Sequence, residues 1–367
     1  MIMHKQIFSI LLLVLSAFTG WSQTNGHHTW KKGIITDEFI YEKAPFPSCH
    51  AATIAETKQG LVAAWFGGTK ERNPDVCIWV SRKGKHDTRW TAPVNVANGK
   101  QADGTRFACW NPVLYQVPDG KLLLFYKVGP KPSAWKGFMI SSADGGITWT
   151  APKAMPEGFL GPVKNKPVLL DNGTLLCPSS TEGDGWKVHF EATRDAGNTW
   201  EKIGPISDGK TYNAIQPSIL QYGNGRLQIL CRSKHRAILE SWSTDNGLTW
   251  SPLAPTTLPN NNSGTDAVTL PDGRQLLVYN HVLPPDGKVK GPRTPLNVSL
   301  SKDGKVWYAS LVLEDSPISQ YSYPSVIYGS DGYVHIVYTW RRERIKYVKV
   351  DPKQLQMVEI RNGQWPE

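Results

Sequence analysis

Ser142-Ala143-Asp144-Gly145-Gly146-Ile147-Thr148-Trp149 reads S-x-D-x-G-x-x-W, and the pattern returns along the chain. Thr193 to Trp200 repeats it with Thr in place of Ser, and Ser243 to Trp250 repeats it intact. Ser301 to Trp307 is one residue short, and Ser81 to Trp90 is a degenerate copy without the Asp. The five tryptophans fall at 90, 149, 200, 250 and 307, in steps of 59, 51, 50 and 57 residues. A period of that size is one four-stranded propeller blade. Within each copy the Asp accepts backbone N–H groups in a hairpin turn, Gly permits a positive φ, and Trp packs between neighbours. These aspartates are therefore structural and poor catalytic candidates.

A second repeat lies between the boxes. Six segments open with a polar residue, usually followed by Pro or Ala, and then turn apolar. Their leading residues are His50, Asn111, Lys166, Gln216, Asp266 and Tyr323. Each runs into a glycine turn, at Gly60, Gly120, Gly173, Gly225, Gly273 and Gly332, and then into a second apolar strand. Each unit thus reads strand, Gly turn, strand, strand, Asp-box turn, strand. The repeat predicts an all-β chain: a six-bladed β-propeller with four-stranded antiparallel blades and Asp-box turns. Ile34–Tyr41 is the segment expected to close the ring by joining the last blade. No linker or second domain is visible, so residues 23–367 read as a single domain, with 351–367 a polar tail of no assigned place.

Composition agrees with this reading. Hydrophobic residues are 40% and charged residues 20% of the 367, which is globular rather than disordered. Residues 1–22 read as a cleavable signal peptide: Lys5, an apolar run from Ile7 to Phe18, then small residues around Gly20 and Ser22. The apolar run is too short for a membrane span. A secreted or periplasmic location is expected, with no membrane span. The net charge of +10 suits an acidic glycan, a nucleic acid or an anionic surface. No long Lys/Arg run occurs, which argues against nucleic acid. The five cysteines, 49, 77, 109, 177 and 231, are odd in number and widely spaced, so they form no disulfide framework. Neither CxxC nor HExxH occurs, and no metal or other cofactor is expected.

In a propeller the first strand of each blade lines the axis, so the six leading residues are expected to converge at one mouth of the channel. The second strands run back to the same mouth and end at Lys127, Ser180, Arg232, Asn280 and Arg341. The loops beyond add Glu71, Arg72, Asp75, Arg236 and Arg293. Arginine holds a carboxylate with two parallel hydrogen bonds, so a rim rich in it points to an anionic sugar.

On these motifs the chain resembles the sialidase superfamily of Asp-box propellers, in its BNR-repeat-like branch, over nearly the whole of residues 23–367. The resemblance implies an exo-glycosidase that grips a sugar carboxylate with three arginines and attacks with a tyrosine. Arg232 resembles the second arginine, Arg293 the third, and Tyr323-Pro324-Ser325 the nucleophile segment, with Tyr321 a nearby competitor. A neutral phenol meets less repulsion than a carboxylate would at an anomeric carbon that itself bears a carboxylate. The family's acid lies on the loop after the second strand of blade one, where Asp75 and Glu71 are the candidates. Two departures stand out. His50-Ala51-Ala52 replaces the family's first arginine motif, and Gln216-Pro217-Ser218 replaces its glutamate base. Glu182 or Asp266 are the carboxylates left to substitute for that base. Three functions follow: a sialidase-like hydrolase of a terminal acidic sugar, a uronate lyase using Tyr323 and His50, or an acidic-glycan-binding propeller without catalysis. Asn111, Lys166, Asp266, Asn280, Arg72 and Arg341 complete the expected substrate-binding set.

Overall fold

The computed structural model describes residues 30–118, 120–317 and 320–367; the expected signal peptide lies outside them. The chain forms six antiparallel sheets arranged as propeller blades. Blade one is built from Ser48–Thr57, Gly60–Gly68, Cys77–Gly84 and Val94–Ala97. Blade two follows with Cys109–Gln116, Leu122–Val128, Lys136–Ser142 and Lys153–Ala154. Blade three has Val168–Leu169, Leu175–Thr181, Lys187–Thr193 and Glu201–Ile203. Blade four has Ala214–Gln221, Leu227–Ser233, Ala237–Ser243 and Ala254–Pro259. Blade five has Asp266–Thr269, Gln275–Tyr279, Leu296–Ser301 and Trp307–Glu314. Blade six has Tyr321–Tyr328, Val334–Trp340 and Arg344–Val350.

Its fourth strand comes from the other end of the chain. Ile34–Phe39 pairs antiparallel with Arg344–Val350, so the expected closure of the ring is observed. The first strand of blade one accordingly packs against the first strands of blades two and six. The tail left unassigned from sequence also has a place: Val358–Glu359 adds a fifth strand to blade five beside Tyr308 and Ala309.

The Asp boxes work as their chemistry dictates. Asp144 Oδ1 accepts the Ile147 and Thr148 amides at 3.1 and 2.9 Å, and Oδ2 accepts the Thr148 hydroxyl at 2.6 Å. Asp195 and Asp245 repeat these bonds, which hold all three carboxyls below their ordinary range. The box tryptophans pack on the preceding blade. Trp250 stacks on Phe190 at 4.4 Å, Trp200 meets Phe125 edge-on at 6.0 Å, and Trp90 meets Tyr347 of blade six at 5.3 Å. These rings are half-buried, so truncating one to Ala costs less than the ~3–5 kcal/mol of a fully buried aromatic. The core is accordingly a series of clusters between adjacent blades. All five cysteines are buried and unpaired.

Candidate active site

The first strands of four blades share one irregularity. The pairing with the second strand slips between His50 and Thr53, Trp110 and Val113, Ile215 and Ser218, and Ser322 and Ser325. Inside each slip one residue takes a positive φ: Ala51 at 56°, Asn111 at 33°, Gln216 at 58° and Tyr323 at 54°. A bulge re-aims a side chain, and non-glycine residues held in this region mark strain that concentrates at functional sites. The repeat alignment was therefore one residue out in blade one, where Ala51 rather than His50 occupies the position equivalent to Tyr323. In blade three the residue at positive φ is Lys164, at 79°, not Lys166.

Tyr323 lies at the centre of the cluster, 8% exposed. Its phenolic oxygen accepts Arg232 Nη1 at 2.5 Å and Gln216 Nε2 at 3.5 Å. Arg232 Nη1 also reaches Gln216 Oε1 at 3.4 Å, and its Nε donates to Asn262 Oδ1 at 2.8 Å. The guanidinium carbons of Arg232 and Arg293 stand 5.7 and 5.5 Å from the Tyr323 ring centre. Arg293 donates to Gln320 Oε1 at 2.9 Å and to Ser322 Oγ at 3.4 Å. Burial, with Arg232 and Arg342 close by, pushes it down to about 10, which leaves it charged at neutral pH. No carboxylate of a described residue hydrogen-bonds to the Tyr323 oxygen.

His50 packs on Tyr323 with ring centres 4.2 Å apart. Burial holds its imidazole well below the ordinary histidine range, and Arg342, Arg293, Arg232 and Lys164 push it the same way. It is neutral at pH 7. Its Nδ1 bonds Thr339 Oγ1 at 3.0 Å, and that oxygen already accepts the Ala51 amide at 3.2 Å. The hydroxyl proton is then free for Nδ1, and the network assigns the ring proton to Nε2. Nε2 makes no hydrogen bond to a described residue.

The remaining candidates divide. Glu71 forms an ion pair with Arg342 at the rim. Glu182 is half-buried, and burial raises its carboxyl above the ordinary range despite the nearby Arg232 and Lys234. Asp75 is held as a loop clamp, accepting the Thr69 amide at 2.7 Å and the Thr69 hydroxyl at 2.9 Å. Asp266 is buried and engaged by Lys166 at 3.0 Å, Ser218 Oγ at 3.0 Å and the Val326 amide at 2.9 Å. It bolts neighbouring blades together, and Lys166 is its counter-ion. Asn280 donates to the carbonyls of Pro295 and Tyr321 at 2.8 and 3.0 Å. Lys127 is buried and donates to the Pro162 carbonyl, and burial pushes it down to about 7. Ser180 Oγ accepts the Gln216 amide at 3.2 Å. Arg72 is exposed; Asn111 is buried in its bulge. Arg341 is exposed on Trp340 near Glu343, and Arg236 pairs with Asp286 at 3.2 Å.

Three residues of the cluster escaped the sequence reading. Lys164, 2% exposed, donates to the Thr265 and Pro324 carbonyls at 2.6 and 2.5 Å, tying blade three to the backbone just after Tyr323. Burial pushes it down to about 7. Its signal was the run Lys164-Asn165-Lys166, in which the following Pro167 drew attention to the wrong lysine. Arg342, one place beyond Arg341, pairs with Glu71 and lies near enough to His50 and Arg293 to act on both through its charge. Trp186 lies under Arg232, its ring centre 5.1 Å from the guanidinium. The loop 260–265 closes in from blade five: a Cβ on Gly264 would stand 3.2 Å from both Gln216 Oε1 and Lys164 Cε. Asn262 Nδ2, Ser263 Oγ and Thr265 Oγ1 of that loop are buried without a hydrogen-bond partner. Among the described residues no group of His, Cys, Asp and Glu is suited to a metal ion. The arrangement is a positive pocket around a phenol, with a neutral imidazole and two carboxyls, Glu71 and Glu182, at its edge.

A family model described as a BNR repeat-like domain matches residues 59–336. No curated protein sequence matches the chain. Among solved structures, a Hadza microbial sialidase is 16% identical with a TM-score of 0.74, over 88% of this chain and 69% of that one. An intramolecular trans-sialidase from Ruminococcus gnavus is 15% identical with a TM-score of 0.66, over 89% of this chain and 99% of that one. An α-L-arabinanase from Penicillium chrysogenum is 18% identical with a TM-score of 0.64, over 88% of this chain and 99% of that one. At these identities the likeness establishes a common fold.

Proposed function

The chain belongs to the BNR repeat-like domain family of the sialidase superfamily, and from that premise we propose that it is a glycosidase-like enzyme that releases a terminal acidic sugar from a glycan outside the cytoplasm. The observation that carries this reading is the convergence of Arg232, Arg293 and Arg342 with Lys164 around the Tyr323 ring and His50. Guanidinium groups gathered about one small site favour a carboxylate ligand. Arg232 donates to the Tyr323 oxygen, so negative charge left there as the phenol gives up its proton is stabilised. Glu182 is the better placed proton donor, since burial keeps its proton to higher pH while Asp75 is committed to Thr69.

In this mechanism the sugar carboxylate bridges the arginines, and the Tyr323 oxygen attacks the anomeric carbon as its proton passes to a water molecule and out to solvent. Glu182 gives its proton to the departing oxygen, and water then hydrolyses the tyrosyl-sugar bond. The test is to incubate the protein with sialic-acid-capped and glucuronate-capped glycans and weigh the products. Hydrolysis adds one water across the bond, and Tyr323→Phe is expected to lose turnover at least a hundredfold with an unchanged circular dichroism spectrum. Full activity in that variant would sink the nucleophile assignment.

A second reading rests on the contact of His50 with Tyr323 and the lack of a carboxylate partner for the phenol. Tyr323 would then remove the proton α to a uronate carboxylate and His50 Nε2–H would protonate the leaving oxygen. The product would be an unsaturated, ultraviolet-absorbing sugar with no water added.

A further inference from the structure

The imidazole of His50 is held on three sides. Its Nδ1 meets Thr339 Oγ1 at 3.0 Å. Tyr323 packs on it with ring centres 4.2 Å apart, and Phe66 stands edge-on at 5.7 Å. Thr339 lies in the second strand of blade six, opposite Ser322 and so beside Tyr323. It is fully buried, and its hydroxyl oxygen accepts the Ala51 amide at 3.2 Å. Among the described residues the hydroxyl proton then has one acceptor, His50 Nδ1. A neutral ring that accepts at Nδ1 carries its proton at Nε2.

Nε2–H is therefore a donor with no acceptor among the described residues, on a histidine only 3% exposed. Leaving such a group unpaired is costly. The charged groups that act most on the ring are Arg342, Arg293, Arg232 and Lys164, and every one of them is itself a donor. The Tyr323 oxygen is already engaged by Arg232 at 2.5 Å. The acceptor that completes the site has to come from outside the chain. A carboxylate suits it best, because its two oxygens take an imidazole N–H and guanidinium N–H groups together. A hydroxyl would bring a proton of its own into a ring of donors. The neutral imidazole also adds a donor without adding another positive charge to those already there.

We propose that Thr339 sets the His50 ring so that Nε2–H donates to the carboxylate of the bound sugar, alongside Arg232 and Arg293. His50 is then a binding residue and Thr339 a positioning residue. The inference rests on the acidic-sugar reading of the axial pocket. It differs from the lyase reading, in which the same N–H serves the leaving oxygen and not the carboxylate.

The experiment follows the histidine rings of the full protein by NMR, with their nitrogens isotopically labelled, as free N-acetylneuraminate or free glucuronate is added. His50→Gln identifies the His50 signals by their loss. The expected result is a ring bare at Nδ1 and protonated at Nε2, whose Nε2–H proton moves downfield as one of the acids saturates the site. His50→Phe keeps a ring against Tyr323 but has no donor, and should bind that acid about tenfold more weakly, a loss of about 1.4 kcal/mol. His50→Gln keeps an N–H at similar reach and should stay within about threefold of the parent protein. Thr339→Val should weaken binding severalfold, and Thr339→Ser should restore it, because the serine hydroxyl keeps the bond to Nδ1. An Nε2–H proton that does not respond at saturation would overturn the assignment. So would a His50→Phe variant that binds the acid as tightly as the parent; if that variant also lost turnover, His50 would pass to the lyase reading. Failure of both acids to bind the parent protein would instead overturn the acidic-sugar reading of the pocket, and the His50 assignment would fall with it.

Discussion

Lys164 and Lys127 carry their side chains into the protein interior, and both are pushed down to about 7 by burial. Between about pH 7 and 8.5 the unfolded chain keeps both lysines protonated while the folded chain releases them, so the unfolded state binds more protons and stability rises with pH. His50 acts in the same direction lower down. Its folded imidazole stays neutral, so below about pH 6.5 only the unfolded chain takes up that proton and stability falls on acidification. Above about pH 8.5 the sign reverses, because burial pushes thiols such as Cys49 up to about 12 and only the unfolded chain ionises them. Thermal unfolding from pH 5 to 9 checks this: the midpoint should climb to a maximum near pH 8.5. Lys127→Met and Lys164→Met should each flatten the climb above pH 7. A midpoint that rises on acidification would contradict the assignment. Which lysine mattered was not legible in advance. Pro167 marks Lys166 in the repeat, yet Lys166 ends as the counter-ion of Asp266, and the residue two places earlier reaches Tyr323.

Blades two to five are each held at an outer corner by an Asp-box turn, and tryptophans such as Trp200 and Trp250 pack a blade onto its neighbour. In Asp245 one carboxylate serves the Thr249 amide at 2.9 Å and the Thr249 hydroxyl at 2.5 Å, while Ser243 Oγ donates to it at 2.8 Å. Asp245→Ala should lower the unfolding midpoint by a few degrees and leave turnover unchanged, because the turn lies at the end of the blade away from Tyr323. Calorimetry with a parallel rate assay separates the two readouts; a loss of activity at unchanged stability would give the box a role it has not been assigned. Strands, glycine turns and boxes were all readable, because their signals are local: a period-two pattern, a positive φ, a carboxylate within four residues of its amides. The bulges were not. A slip of one residue in blade one, which puts Ala51 where His50 was expected, depends on how the first strand pairs with Gly60–Gly68 and on the neighbouring Thr339.

At the scale of the whole molecule the ring is closed by its two ends. Removing residues 30–39 would strip blade six of its fourth strand and leave Arg344–Val350 as an open edge. The truncated chain is expected to aggregate or to unfold at markedly lower temperature, as light scattering and calorimetry would report. Charge also acts at this scale. The chain carries +10, and Arg342, Arg293, Arg232 and Lys164 concentrate part of it around His50 and Tyr323. KM for an acidic glycan should therefore rise severalfold between about 50 and 500 mM salt, as screening shortens the reach of these charges. Steady-state kinetics across that range would show it, and Arg342→Ala should both raise KM and reduce the dependence. A flat salt profile would argue against a carboxylate in the pocket.

The amino-acid sequence alone determined the propeller, the number of its blades, the closing segment, and Tyr323, Arg232 and Arg293 as members of one rim. All of these follow from repetition and from short-range hydrogen bonding. Only the tertiary structure decided that Arg342 rather than Arg341 lies near His50 and Arg293, that Lys164 rather than Lys166 lies over the Tyr323 ring, and that Asp75 is tied to Thr69 while Glu182 is half-buried near Arg232. The reason is physical. These assignments depend on where side chains from different blades point once the ring has closed, and contacts across more than a hundred residues leave no local pattern to read.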